Sequence, residues 1–123
     1  MTKSVYEMNG KEYELKLDYK AIKYLTKEID GGTLGAVGLA MSGDLDAFPK
    51  IIHAALLHTG ENFKFKDVEA SIIEKVDGEE LDLNTIMKIG NSVVADSFFL
   101  KATVAKLMKD PEAKAAMNQL LAD

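Results

Sequence analysis

The most distinctive part of the sequence is VYEMNGKEYELKL, residues 5–17, which runs without a spacer into DYKAIKYL, residues 18–25. Asn9-Gly10 predicts a β-hairpin, because both central residues of a type I′ turn need a positive φ. Side chains alternate between the two faces of a strand, so one face of this hairpin is apolar and the other is charged. The apolar face carries Tyr6, Met8, Tyr13, Leu15 and Leu17.

The two-residue turn also sets which residues of the hairpin lie opposite each other. Tyr6 faces Tyr13, which predicts a cross-strand aromatic pair. Glu7 faces Glu12, a like-charge pair that is mildly unfavourable and that nothing in the sequence explains. An isolated hairpin is only marginally stable in water, so this one must pack on helices or extend another sheet.

A helix follows the hairpin directly. Asp18 is a good N-cap residue, and Leu17 and Ile22 flank it as a hydrophobic staple. Gly31-Gly32 ends this helix. Its core positions recur at helical spacing and are Ala21, Ile22, Leu25 and Ile29.

Capping residues and apolar periodicity predict further helices along the rest of the chain. The expected N-terminal residues are Thr33, Asp46, Asp67 and Asp82, and Asp110-Pro111 precedes a last short helix at residues 112–121. The expected inward-facing residues of the first three of these helices are Leu34, Val37, Met41, Phe48, Ile51, Ile52, Ala55, Leu56, Val68, Ile72, Ile73 and Val76.

The longest predicted helix runs from about residue 83 to 109 and carries two apolar stripes, as is typical of a central helix in a bundle. One stripe is Ile86, Gly90, Val93, Ser97, Leu100, Val104 and Leu107, and the other is Met87, Val94, Phe98 and Met108, with Phe99 beyond. The predicted fold class is therefore α+β, mainly α. A hairpin at about 3–17 is followed by about five or six helices at about 18–121, in a single domain spanning 1–123.

Composition narrows the classes of function. The 123 residues are 47% apolar, which is enough to bury a core. The net charge is −5 and all 15 basic residues are lysine. Nucleic acid is a poor partner for an acidic chain without arginine, the residue that binds guanine and phosphate bidentately. There is no apolar run of about 20 residues for a membrane span and no apolar signal segment, so we expect neither a membrane partner nor export.

No pattern of side chains predicts catalysis, a metal site or a cofactor. His53 and His58 are five residues apart, which is not the i, i+4 spacing of a helical metal-binding pair. Gly90-Asn91-Ser92 lacks the final glycine of a nucleophile elbow. The absence of cysteine removes zinc–thiolate sites and thiol nucleophiles. We therefore expect a non-catalytic protein with no cofactor and no metal.

The hairpin NGKEYEL at residues 9–15, followed by YKAI at residues 19–22, resembles the tail assembly chaperones of long-tailed bacteriophages and prophages, whose tails are non-contractile. The order that follows is similar as well. It consists of a glycine-broken connector, the helix with IHAAL at residues 52–56, a short helix and a long apolar helix. The resemblance extends to about Leu107, and it is to the short form of these chaperones, which often also exist in a longer, frameshifted form.

The resemblance implies a non-catalytic protein that binds the tape-measure protein of the tail and helps to recruit tail tube subunits. It also implies action in the cytoplasm of the bacterial host and absence from the mature virion. The family provides no catalytic or ligand-binding residues to transfer to this sequence. Many copies must line one tape-measure rod, so self-association is expected, and an unpaired edge of the hairpin is a candidate contact.

A chaperone for an apolar rod needs an adaptable apolar surface on an acidic body. We predict that Val94, Phe98, Phe99 and Met108 form this protein-binding surface. Two alternatives remain open at this point. One is a structural tail protein or a head–tail connector or completion protein, which would stay in the virion. The other is a small regulatory domain that binds one defined protein.

Overall fold

The structure is a computed structural model that describes residues 4–109, with side chains through residue 105. Within these residues, a two-stranded antiparallel hairpin precedes six α-helices, which confirms the predicted fold class. The elements are β1 (Val5–Met8), β2 (Lys11–Glu14), α1 (Tyr19–Glu28), α2 (Gly32–Ser42), α3 (Ala47–Ala55), a 3-10 turn (Leu57–Thr59), α4 (Phe65–Asp77), α5 (Leu83–Asp96) and α6 (Phe98–Lys109). The helix predicted at 112–121 lies outside the described residues.

The hairpin has the predicted turn and register. Asn9 and Gly10 have φ values of 55° and 82°, as a type I′ turn requires. Tyr6 pairs with Tyr13 and Glu7 with Glu12 across the strands. The predicted apolar face packs on the helices, with Tyr13 half-buried and the other members fully buried: Tyr6, Met8, Leu15 and Leu17.

Side-chain contacts with α4 and the segment before it fasten the hairpin. The Tyr6 hydroxyl lies 2.7 Å from Ser71 Oγ. The predicted aromatic pair of Tyr6 and Tyr13 is in register, and the ring contact that Tyr13 makes is an edge-on one with Phe63 at 5.2 Å. The aromatic partner of Tyr13 therefore comes from the segment before α4.

Lys75 on α4 explains why the like-charge pair of Glu7 and Glu12 is tolerated. Its Nζ lies 2.9 Å from Glu7 Oε1 and 4.9 Å from the centre of the Tyr6 ring. Burial lowers the pKa of Lys75, but the hydrogen bond with Glu7 and the nearby negative charges outweigh it, and the net shift is upward. The like-charge pair is tolerated because a cation from a distant helix neutralises one member.

Two helices start where the sequence predicts. Asp18 Oδ1 accepts a hydrogen bond from the Ala21 backbone N–H at 3.0 Å, at the start of α1. Asp82 Oδ1 accepts one from the Thr85 N–H at 2.8 Å, at the start of α5. The Thr85 backbone N–H is the main reason that the pKa of Asp82 is lowered.

Two predicted helix starts are wrong by two residues. The N-cap of α2 is Gly31 rather than Thr33, and Gly31 takes a left-handed conformation with a φ of 99°. Helix α3 begins at Ala47, directly after Asp46, as predicted, but its capping hydrogen bond comes from Asp44, whose Oδ2 accepts from the Ala47 N–H at 2.9 Å. Helix α4 begins at Phe65, two residues before Asp67.

The predicted core is mostly confirmed, with three exceptions. The buried residues of the described chain form one hydrophobic cluster. The hairpin and all six helices contribute to it, with Leu100 and Val104 coming from α6. Leu34, Ile73 and Val76 were expected inside, but they are exposed by 59%, 54% and 42%. Their helices turn a narrower apolar face inward than the sequence pattern suggests.

The single helix predicted over residues 83–109 is two helices. Ser97 has an extended conformation, with φ −74° and ψ 120°, and separates α5 from α6. Its hydroxyl donates a hydrogen bond to the Leu17 carbonyl at 2.9 Å, a contact 80 residues away in sequence. This tertiary hydrogen bond is not visible in helical periodicity, which is why the break was missed.

Helix α5 lies very close to α2. A side-chain carbon at Gly90 would overlap the Ala40 carbonyl oxygen, so only glycine permits this approach. Next to it, Asn91 Nδ2 donates to the Met41 carbonyl at 3.2 Å. Helix α5 thus packs against α2, and α6 packs against α5.

Candidate protein-binding surface

The candidate surface lies at the start of α6, and Ser97 sets its orientation. The Ser97 carbonyl accepts hydrogen bonds from the N–H groups of Leu100 and Lys101, at 3.1 and 2.8 Å, as an N-cap residue does. Its side chain, however, points away from the helix and donates to Leu17. Ser97 is 4% exposed, so this hydroxyl attaches the first turn of α6 to the core.

Apolar burial adds to this attachment. Leu100 and Val104 are 3% and 8% exposed and face the core. Leu100 packs beside Leu17 of the hairpin segment, Leu25 of α1 and Val37 of α2, around a cavity of about 10 Å³. Such a small cavity holds at most one water molecule, so the packing is close to complete. The side of α6 with Leu100 and Val104 therefore packs against the core, and the opposite side faces solvent.

Phe98 and Phe99 lie on that outward side. Phe98 is 95% exposed and Phe99 is 62% exposed. Burying a phenylalanine side chain is worth about 1.5–3 kcal/mol, so two adjacent exposed rings forgo a large stabilisation. Large exposed apolar patches on monomeric proteins mark sites of interaction with other proteins.

The four residues predicted for this surface have different positions. Phe98 and Phe99 are together and exposed, whereas Val94, in the last turn of α5, is 1% exposed and packs in the core. In one continuous helix, Val94 and Phe98 would share a face, since they are four residues apart. The break at Ser97 separates them. Met108 belongs to α6, but its side chain lies outside the described part of the chain.

A second apolar surface escaped sequence reasoning. Leu45, before α3, is 68% exposed, and it adjoins the exposed Ile73 and Val76 of α4 in one shallow groove. The sequence feature that indicates this surface is the wide apolar stripe on α4, whose residues we predicted to face the core. Only two of its predicted members, Val68 and Ile72, are buried.

Both histidines have structural partners. His53 Nε2 lies 2.8 Å from the Phe63 carbonyl, which can only accept, so Nε2 carries the proton and Nδ1 faces the Tyr24 hydroxyl at 2.9 Å. His58 Nε2 donates to the Glu14 carbonyl at 2.6 Å. Among the described residues there is no cluster of three or more His, Cys, Asp or Glu that could hold a metal ion.

The outer edges of the hairpin are partly covered. The Leu15 N–H bonds the Ser4 carbonyl, so by strand alternation the carbonyls of Glu7 and Glu14 point outward. Lys75 Nζ donates to the Glu7 carbonyl at 3.0 Å, and His58 covers that of Glu14. The strand edges thus already have side-chain donors, which makes them poorer templates for another strand.

None of the helices among the described residues is both long and apolar enough to cross a membrane.

Comparison with known proteins identifies the family. The model of the family described as phage tail assembly chaperone protein, TAC, matches residues 6–109. This match runs from the first strand of the hairpin to the end of α6 and includes Phe98 and Phe99. No curated protein and no solved structure matches the sequence. The match covers well over half of the chain, and the protein therefore belongs to the phage tail assembly chaperone family.

Proposed function

We propose that this chaperone binds the tape-measure protein of a phage tail and helps to recruit tail tube subunits to it. Family membership supports a role in tail assembly, and the family implies a non-catalytic one. The observation that carries the finer proposal is the exposed pair Phe98 and Phe99 on a helix whose other side is anchored in the core. A rigidly held aromatic pair suits the capture of apolar helices.

The magnitude of this binding follows from the area that the rings can bury. Transfer of each phenyl ring from water to a protein contact is worth about 1.5–3 kcal/mol. Since each 1.4 kcal/mol is about tenfold in affinity, removal of one ring weakens binding by about 10- to 100-fold. The net charge of −5 favours the encounter with a basic partner.

The test is co-expression with a tape-measure protein from the same phage or prophage, followed by co-purification and titration. Phe98→Ser and Phe99→Ser are expected to weaken binding by about 10- to 100-fold and to leave more tape-measure protein insoluble. Leu34→Ser is the matched control, because Leu34 is 59% exposed but lies on α2. Unchanged binding by both phenylalanine variants would show that another surface is used.

The place of action is proposed to be the cytoplasm of the bacterial host, with the chaperone absent from the mature virion. Mass spectrometry of an induced lysate and of purified particles tests this proposal. Peptides from residues 5–25 are expected in the lysate, in this form and in a larger product with the same N-terminus, and not in particles. Recovery of these peptides from purified particles would instead indicate a structural tail or connector protein.

We also propose that copies of the chaperone associate along the tape-measure protein. The partly covered edges of the hairpin favour contacts through helices rather than through strand pairing. Light scattering after size exclusion, with and without tape-measure protein, measures the number of copies per complex. A ratio of one copy per full-length tape-measure protein would contradict the proposal.

A further inference from the structure

The groove that involves α4 has the features of a second docking site, separate from Phe98 and Phe99. It has a volume of about 200 Å³. Its apolar lining is contributed by the segment before α3, by the first turn of α3 and by α4: Leu45, Pro49, Ile72, Ile73 and Val76. Three of these side chains are more than two-fifths exposed. The groove is therefore an unfilled apolar concavity on the surface.

The charges around this groove have one sign. The two charged residues that line it are Glu69 and Asp77, both exposed carboxylates on α4. Asp46, which follows Leu45, adds a third exposed carboxylate nearby. Lys66 lies one turn before Glu69 on α4, outside the lining. An apolar floor between carboxylates complements an apolar side chain flanked by cations.

The groove is smaller than pockets for drug-sized ligands, which measure about 300–1,000 Å³. A groove of this volume instead accommodates one or two side chains. Recognition of an extended peptide by strand addition needs an exposed sheet edge. The walls of the groove are helices α3 and α4 and the segment before α3, with no strand among them, so the mode that fits is a helix laid across side chains.

The spacing of the carboxylates defines the partner further. Glu69 and Asp77 are eight residues apart on one helix, which is about 12 Å at 1.5 Å per residue. A partner helix places two cations at this separation when they are about seven or eight residues apart. Its apolar positions between them, three and four residues after the first cation, then face the floor of the groove.

We propose that this groove binds a helical segment of a partner protein that carries a leucine- or isoleucine-sized side chain between two lysines or arginines about seven residues apart. The identification of that partner as the tape-measure protein rests on the proposed function. The chaperone then has two contact points for one rod, the aromatic pair on α6 and the groove beside α4. Two linked contacts raise the overall affinity beyond that of either one.

The experiment titrates the full chain with a synthetic 18-residue helical peptide that has two leucines between lysines seven residues apart. Nuclear magnetic resonance reports binding through the methyl signals of Leu45 and Ile73. Ile73→Ser and Leu45→Ser are each expected to weaken binding about tenfold. A peptide with glutamates in place of both lysines is expected to bind at least tenfold more weakly to the unaltered chain. Leu34→Ser is the control for loss of an exposed leucine elsewhere.

Charge is tested by neutralisation. The pair Glu69→Gln and Asp77→Asn is expected to weaken binding several-fold and to abolish most of its dependence on salt. The pair Glu12→Gln and Glu61→Gln removes the same number of charges away from the groove and is expected to change neither. Circular dichroism melting of every variant confirms that the fold is retained, which is expected since the altered side chains are exposed.

The outcomes separate this inference from the proposed function. If the lysine peptide does not bind, or binds Ile73→Ser equally well, the groove is not the site, whatever the result of tape-measure co-purification. If the peptide binds through the groove but the tape-measure protein does not co-purify, the groove is confirmed as a helix-binding site and the proposed function is wrong. If Ile73→Ser changes the oligomeric state and leaves peptide binding unchanged, the occupant is a second copy of the chain, and the proposal is overturned.

Discussion

Helices α5 and α6 come from one continuous apolar pattern in the sequence, yet they are held in different ways. Helix α5 begins with a side-chain cap from Asp82 and lies against α2, where Gly90 allows backbone-level contact with Ala40. Helix α6 begins at Phe98, directly after Ser97, whose hydroxyl is used for a tertiary hydrogen bond. Leu100 is its most deeply buried side chain among those described.

The difference shows how one break in a helix separates residues that a continuous helix would place on one face. The first predicted stripe survives the break, since its members from Ile86 to Val104 are all buried. The second stripe does not survive, because Val94 stays inside while Phe98 and Phe99 are turned outward. An element anchored on one side can thus present aromatic rings on the other without loss of the core.

The largest expected effect is at the α2–α5 contact. Gly90→Ala is expected to lower the free energy of unfolding by about 3 kcal/mol, because the added carbon meets backbone that cannot move aside easily. Chemical denaturation measures this change. Gly38→Ala on α2 is the control, because its added carbon meets no atom within 4 Å. That variant should be stabilised by up to about 1 kcal/mol through helix propensity. Equal effects of the two substitutions would refute the close-contact explanation.

The next largest effect is expected at Leu100 and is compared with that at its neighbour on α6, Phe99. Leu100→Ala is expected to cost about 2–3 kcal/mol, since it removes a fully buried side chain and leaves a cavity. Phe99→Ala should cost no more than about 1 kcal/mol, because the side chain is already 62% exposed. Thermal and denaturant unfolding of both variants measures the two losses of stability. A larger loss at Phe99 than at Leu100 would mean that α6 is turned differently.

A smaller effect tests the attachment of α6 at its first turn. Ser97→Ala is expected to cost about 1–2 kcal/mol, because the Leu17 carbonyl loses a buried donor. Amide hydrogen exchange should be faster in α6 than in α5 of this variant. Ser42→Ala is the control, since the Leu39 carbonyl that Ser42 contacts also accepts from the Asp44 N–H. Uniform exchange in both helices would indicate that Ser97 does not anchor α6 separately.

The smallest effect is the pH dependence of the cap of α5. The pKa of Asp82 is lowered in the folded state, chiefly by the Thr85 N–H. Its contribution to stability is therefore present above the ordinary aspartate value of 3.8 and is lost as the pH falls through the lower, folded-state value. Asp82→Asn keeps a cap but removes the charge, so the advantage of aspartate should shrink in acid. Asp46→Asn, at a position without a cap bond, is the control.

Local patterns predicted the hairpin turn, its register and the start of the first helix correctly, whereas that helix ends at Glu28, before the predicted Gly31-Gly32. The turn at Asn9-Gly10, the strand register and the Asp18 cap need only neighbours in sequence, and all three are confirmed. The candidate surface was predictable only in part. The exposure of Phe98 and Phe99 depends on where α6 turns, and the groove beside α4 depends on how much of that helix the rest of the chain covers.

The fold class, the order of most elements and most of the core could be predicted from the sequence, because they follow from turn chemistry, capping and periodicity over a few residues. Three features arise only when the chain is folded: the break at Ser97, the neutralisation of Glu7 by Lys75 and the exposure of Ile73 and Val76. Each of these depends on groups far apart in the chain, and periodicity carries no information about which distant group will satisfy a hydroxyl, a charge or an apolar face.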